Sequence, residues 1–370
     1  MANKDYFDSQ TDLTASKILF YRKYLSSYLP KVLMQYGQCF IADFFCGCGR
    51  NGSEDGSPLV LLDVAKKILE SPVLKLKQPN AEIVIIFSDS EQKRCDDLKK
   101  YLQPVPGVKI LGPYCEDFKD IKTKATAAFQ NIAAPKFFFL DPFTYSEVGI
   151  DDVKELMKVP SAEVLLFLPT FHSYRFVKCA NEVGALKDFL ENFTERGCAD
   201  YSDINDFNES IRQKLLKHIG LKYVRSIGLD DGARKNALFY LTKHITGMLL
   251  MNNLVWKYAH DGVTVKAKRE TEPTLFDLST ITSNFKRIKD LFKNYIKEKR
   301  RLTNIEIIDF VAQNSFVTKY AGEILKEMRK QGVIDIEYKK SDKKRGFYVA
   351  DNHWDEELAT TIYRGDKNGI

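Results

Sequence analysis

No stretch of this 370-residue sequence stays apolar long enough to cross a bilayer. The opening Met1-Ala2-Asn3-Lys4-Asp5 has no apolar signal core. Both absences predict a cytoplasmic protein with no membrane partner. A disulfide framework is missing as well, because the seven cysteines are odd in number and scattered. Cys46 and Cys48 stand too close for a usual zinc pair and have no Cys/His pair nearby. They read as small buried residues beside a turn, and no metal site is expected. Internal repeats and low-complexity stretches are absent too. Net charge is a mild +6, but it is unevenly spread. Residues 281–350 hold 17 Lys and Arg against 9 Asp and Glu, a surplus of eight, so the rest of the chain is slightly acidic. That concentration predicts a polyanionic partner for the C-terminal part.

The N-terminal part is organised around Ile41-Ala42-Asp43-Phe44-Phe45-Cys46-Gly47-Cys48-Gly49-Arg50. It reads as a buried strand that ends in a tight turn, where Gly47 and Gly49 supply positive φ or close backbone approach. Ahead of it, residues 14–35 carry apolar residues at helical spacing, with Pro30 expected to kink or split the helix. Ser57-Pro58 predicts a helix start, with Ser57 as N-cap. Further strands are expected at Ile83–Phe87, Val108–Leu111, Lys136–Leu140 and Glu163–Leu168, with helices between them. Strands alternating with helices predict an α/β fold, a doubly wound, mostly parallel Rossmann-like sheet. Residues 178–222 read as a helical insert capping the sheet's C-terminal edge, and 236–241 as a returning strand. The first domain is placed at 1–258 and a linker at 259–280. A winged-helix domain follows at 281–352 and a tail at 353–370. The winged helix rests on three helices, the second opened by the capping box at Thr303 and Glu306, and on strands at 333–338 and 347–349.

Acids close four of the strands: Asp43, Asp89, Asp117 and Asp141. At the C-terminal ends of parallel strands such acids face a nucleotide-like ligand. In an S-adenosylmethionine (SAM) fold Asp43, Gly47 and Gly49 form the turn that approaches the cofactor's amino acid part. Asp89 accepts from the ribose hydroxyls and Asp117 binds the adenine amino group. Asp141 faces the substrate, with Pro142 and Phe143 beside it. Each acid read singly is also an ordinary strand end or helix cap. Asp141-Pro142-Phe143 resembles the Asp-Pro-Pro-Tyr motif of amino-methyltransferases, which act on a base taken out of the duplex. Here the second Pro and the Tyr are lacking, so Phe143 or Tyr145 would do the stacking. His172 follows the fifth strand and is expected either to line the same mouth or to be structural. In the C-terminal domain the nucleic-acid surface is expected on the helix 316–329, through Lys319, Lys326 and Arg329. The wing adds Lys339, Lys340, Lys343, Lys344 and Arg345.

The chain also resembles the three-Cys-motif partner proteins, a bacterial group tied to mobile and defence-like gene neighbourhoods. The matching pieces are Lys17–Tyr24, Asp43–Gly49, Gly56–Leu59, Phe87–Glu91, Phe138–Phe143, Phe239–Leu241 with His244, Gly247 and Met251, and the C-terminal winged helix. The resemblance implies a methyltransferase-like Rossmann domain and a protein partner encoded nearby, with no settled activity. Cys46 and Cys48 stand where Ala and Pro are commoner, and Asp89 where Glu is commoner; both changes keep the chemistry. Three readings follow: a SAM-dependent methyltransferase acting on nucleic acid, duplex DNA first; a non-catalytic DNA-binding adaptor; and a metal-dependent nuclease.

Overall fold

Long β-branched and aromatic runs make the first unit of the chain, because strands covered on both faces need apolar side chains in both directions. A computed structural model describes residues 12–232, 235–259, 261–266, 275–339 and 346–365. The chain divides into two compact units, Met1–Lys243 with Val265–Arg269, and His244–Thr264 with Glu270–Ile370.

The first unit opens with helix α1 (Asp12–Tyr36) and strand β1 (Gln38–Asp43), followed by the two-residue strands β2 (Arg50–Asn51) and β3 (Glu54–Asp55). Then come α2 (Ser57–Leu69), α3 (Pro72–Lys77), β4 (Glu82–Asp89), α4 (Gln92–Tyr101), β5 (Val108–Cys115), α5 (Phe118–Phe129) and β6 (Lys136–Leu140). They are followed by α6 (Ile150–Lys158), β7 (Ala162–Leu168), α7 (Thr170–Arg175), α8 (Gly184–Phe193), α9 (Ile204–Ile219), β8 (Tyr223–Asp230), β9 (Lys235–Thr242) and the short edge strand β10 (Thr264–Lys266). The sheet order is β10-β8-β9-β7-β6-β1-β4-β5. β5, β4, β1, β6 and β7 are parallel in the doubly wound order, and β9 enters antiparallel between β7 and β8. The order reverses at β1, so the crevice for a ligand lies outside the carboxyl ends of β1 and its neighbours.

Several local expectations change. α1 runs unbroken through Pro30, packed on the sheet by Tyr21, Tyr24, Leu25 and Leu29. Tertiary burial there outweighs one lost helix bond. Ser57 is not the N-cap of α2. Gly56 holds that place, and the Ser57 hydroxyl donates to Asp43 Oδ2 at 2.6 Å. The third strand runs on to Cys115 rather than stopping at Leu111. Within the expected insert, α9 is no lid. Its Phe207, Ile211 and Leu215 join the sheet's core beside α6 and β8, which makes it a layer helix.

The second unit begins earlier than the sequence suggested. α10 (Ile245–Tyr258) belongs to it, because Trp256 packs edge-to-face on Phe316 and Tyr320 and its Nε1–H donates to the Ser315 carbonyl at 2.9 Å. The expected linker holds β10 and the start of α11 (Leu275–Lys299). β11 (Arg301–Thr303), α12 (Asn304–Gln313), α13 (Thr318–Lys330), β12 (Ile334–Tyr338) and β13 (Ala359–Tyr363) complete the unit. The capping box forms: Thr303 Oγ1 accepts the Glu306 N–H at 3.2 Å, and Glu306 Oε2 accepts the Thr303 N–H at 2.8 Å. The second hairpin strand is not 347–349 but β13, in the segment expected as a tail; it pairs with both β11 and β12. Buried Asn304 fixes that return. Its amide donates to the His353 and Glu356 carbonyls at 3.0 and 2.9 Å, and its Oδ1 accepts the Leu358 N–H at 2.8 Å.

Candidate functional site

The turn after β1 is built from its two glycines in different ways. Gly47 has φ +63°, and a Cβ there would meet nothing within 4 Å. Gly49 has φ +87°, and a Cβ there would come within 2.9 Å of Leu98 on α4. The φ of Gly49 favours glycine, and Leu98 would have to shift for a Cβ there, whereas the space in front of Gly47 is open. Both line a cavity of about 220 Å³ at the carboxyl ends of the strands. Asp141, Pro142 and Phe143 after β6 line it too, with Lys17 of α1 and Arg94 of α4. His172 of α7 and Asn236 of β9 are also part of its wall. The structure thus brings together Gly47, Gly49, Asp141, Pro142, Phe143 and His172.

The other acids are placed differently. Asp43 is fully buried under the turn, held by Ser57 and by the Phe45 N–H at 3.4 Å. Burial pushes its carboxyl up to about 7; Ser57 opposes the shift, and the nearby Asp141 and Asp89 add to it. Asp89 is 1% exposed and already engaged. Its Oδ2 accepts the Gly47 N–H at 3.1 Å, and its Oδ1 accepts the Glu91 N–H at 3.0 Å and meets Arg94 at 3.4 Å. Asp89 therefore holds the glycine turn in shape rather than presenting open oxygens. Asp117 is exposed at the N-terminus of α5 and is not part of the cavity wall. The four acids do not converge on a point where one cation would bind them together.

Three interactions in the cavity carry no sequence signal. Lys17 forms an ion pair with Asp141 Oδ2 and lies 4.6 Å from the centre of the Phe167 ring. Nothing in local spacing links residues 124 positions apart. Arg94 stacks over Phe143 at 4.0 Å while pairing with Glu91 at 3.0 Å and with Asp89. Phe143 keeps 46% of its surface, whereas Tyr145 packs against Phe189 at 5.6 Å, so Phe143 is the ring left open for stacking. Asn236 makes the third; its Oδ1 accepts the Phe171 N–H at 3.0 Å.

In the second unit, Lys319, Lys326 and Arg329 project from the exposed face of α13. Thr318 on the same helix is buried and donates to Asp351 Oδ1 at 2.7 Å. Lys319 and Lys326 flank a groove of about 380 Å³ whose other wall includes Tyr348 and His353. Lys339 is exposed and pairs with Glu357 at 3.0 Å. Lys340, Lys343, Lys344 and Arg345 lie outside the described residues.

No protein-family model matches this chain, and neither does any curated protein. Solved structures with a similar fold include a Legionella pneumophila protein, 12% identical, over 62% of this chain and 85% of that one, at a TM-score of 0.38. Human methyltransferase-like protein 13 in complex with SAH is 12% identical over 74% of this chain and 90% of its own, at 0.32. Loganic acid methyltransferase with SAH is 11% identical over 98% and 99%, at 0.25. Likenesses this distant transfer neither ligand nor activity. By its own strand order, the first unit is a doubly wound, Rossmann-like α/β domain with a cleft at the carboxyl ends of its strands.

Proposed function

We propose that this protein is a SAM-dependent methyltransferase acting on nucleic acid. The observation that carries the reading is the continuity of one cavity from the open face of Gly47 to Asp141 and Phe143. A backbone turn without side chains at one end suits the cofactor's amino acid part, and a carboxylate beside an exposed ring at the other suits a methyl acceptor. The residues fit the cofactor: the space a Cβ at Gly47 would enter is clear, and Asp89 fixes the orientation of that turn. When bound, SAM supplies an electrophilic methyl group. Gly47 and Gly49 would cradle it, positioned by Asp89 and by the hydrogen bond between Ser57 and Asp43. Asp117, outside the cavity wall, would reach only an adenine extending past the mouth. Lys17 holds Asp141 in place, so its free oxygen accepts from an amino group while Phe143 stacks on the ring that bears it.

The second unit supports the nucleic-acid half of the reading. Its order of helices and strands, with sheet order β11-β13-β12, supports reading it as a winged helix, in which α13 would be the helix presented to duplex DNA. The partner protein, a mobile-element or defence setting and a cytoplasmic location rest on the sequence and the family resemblance. One observation favours the adaptor reading instead: both oxygens of Asp89 are already bonded within the chain.

Calorimetry with SAM and S-adenosylhomocysteine tests the site. Wild type is expected to bind both. Gly47→Val is expected to lose at least tenfold in affinity, because a branched side chain both fills the open face and strains a backbone at φ +63°. Transfer of labelled methyl to DNA, RNA and protein then separates enzyme from adaptor. Binding without transfer to any of them assigns the adaptor role, and no heat at millimolar ligand removes the cofactor altogether.

A further inference from the structure

We infer that Asn236 reads the methyl acceptor, and that the acceptor is an aminated nucleobase; this rests on the methyltransferase reading above. Asn236 is the second residue of β9 and is 3% exposed. Its Oδ1 accepts the Phe171 N–H in the first turn of α7. A backbone N–H only donates, so the atom facing it is oxygen and the amide cannot be flipped. The Nδ2 end is thereby directed the other way, and among the described residues it has no acceptor. The surface Asn236 retains lies on the wall of the cavity that holds Asp141. A fixed, nearly buried donor facing a cleft is complementary to a ligand acceptor.

Asp141 supplies the opposite polarity. Its Oδ2 is taken by Lys17, which leaves Oδ1 to accept. Phe143 adds a flat apolar face, backed by Arg94. The cavity wall therefore offers one acceptor, one donor and one ring face. The complement is a flat heterocycle with an amino group at one point of its edge and a ring acceptor at another. Adenine, cytosine and guanine carry that combination, whereas thymine has no amino group.

The test uses the full chain and labelled SAM, with single-stranded oligonucleotides containing adenine, cytosine, guanine or only thymine. Asn236→Asp keeps an oxygen for the Phe171 N–H, so α7 stays tied, but it exchanges the donor for an acceptor. We expect kcat/KM to fall about 100-fold at pH 8, the upper end of the cost of leaving a buried hydrogen-bonding group without its partner. SAM affinity should stay close to wild type, and Tm should drop at pH 8, where a nearly buried carboxylate is charged, and return towards wild type as it gains a proton. As the pH falls towards 5, the introduced carboxyl gains a proton that it can donate, and activity relative to wild type should recover. A purely structural Asn236 would lose SAM affinity and transfer together at pH 8, whereas a reader of the acceptor loses transfer with SAM affinity intact. Equal activity of the variant, loss without recovery at acid pH, or equal transfer to the thymine-only strand would overturn the inference and leave methyl transfer standing. Wild type that binds SAM but labels no strand would overturn the nucleic-acid reading, and the inference with it.

Discussion

Asp43 shows how much a single buried carboxyl can impose. Its value of about 7 stands well above the ordinary value of about 4 for an unfolded Asp, so between the two the folded state holds more protons than the unfolded one. Stability from this group is therefore greatest below about pH 4, declines as the pH rises through about 7, and is level beyond. The loss is on the order of a few kcal/mol for a shift of this size. Asp43→Asn, which stays neutral, should lack that decline. Melting curves of both proteins from pH 4.5 to 8.5 check it: their Tm difference should widen in favour of the variant with rising pH, and parallel curves would show that Asp43 does not titrate in this range. The sequence showed an acid at the end of a strand here and again at Asp89. It could not show what their oxygens meet. Ser57 and the Gly47 N–H, which decide both roles, lie 14 and 42 positions away.

Among the elements, what was legible followed from local pattern. Ile83–Phe87 and Lys136–Leu140 are continuous apolar runs because both faces of those strands are covered, and each became a strand with an acid beyond it. The Thr303 capping box is a four-residue pattern and formed as read. The return strand was missed because Phe347-Tyr348-Val349 looks as β-prone as Ala359–Tyr363. The choice between them is made by Asn304, some fifty residues upstream. α10 fell on the wrong side of the boundary because its apolar faces do not say which core they join. At this scale α13 makes its own prediction. Lys319, Lys326 and Arg329 are exposed on one helix, and each phosphate left without its basic side chain should reduce the slope of log K against log salt by about 0.9. Replacing all three with Ala should flatten the slope for duplex DNA by up to about 3 and weaken all sequences alike. Titrations at several salt concentrations check it, and an unchanged slope would turn this face towards a protein.

Over the whole molecule, the first unit carries the cleft, and the second carries the basic stretch 281–350. The strand order adds a constraint in time. β8 precedes β9 in the chain, yet β9 lies between β7 and β8 and bonds to both. During synthesis β7 and β8 must wait with open edges until residues 235–242 arrive, and a waiting edge invites pairing with another chain. Asn236 arrives with β9, so a nascent chain that stops short of it cannot hold a finished cleft. Refolding from denaturant should accordingly become less efficient as protein concentration rises, and a chain ending before residue 235 should aggregate rather than bind ligand. Light scattering during refolding would report both. Full recovery at every concentration would mean that the gap between β7 and β8 closes faster than chains meet. β9 is thus the strand that closes the gap beside β7 and begins the capacity to bind.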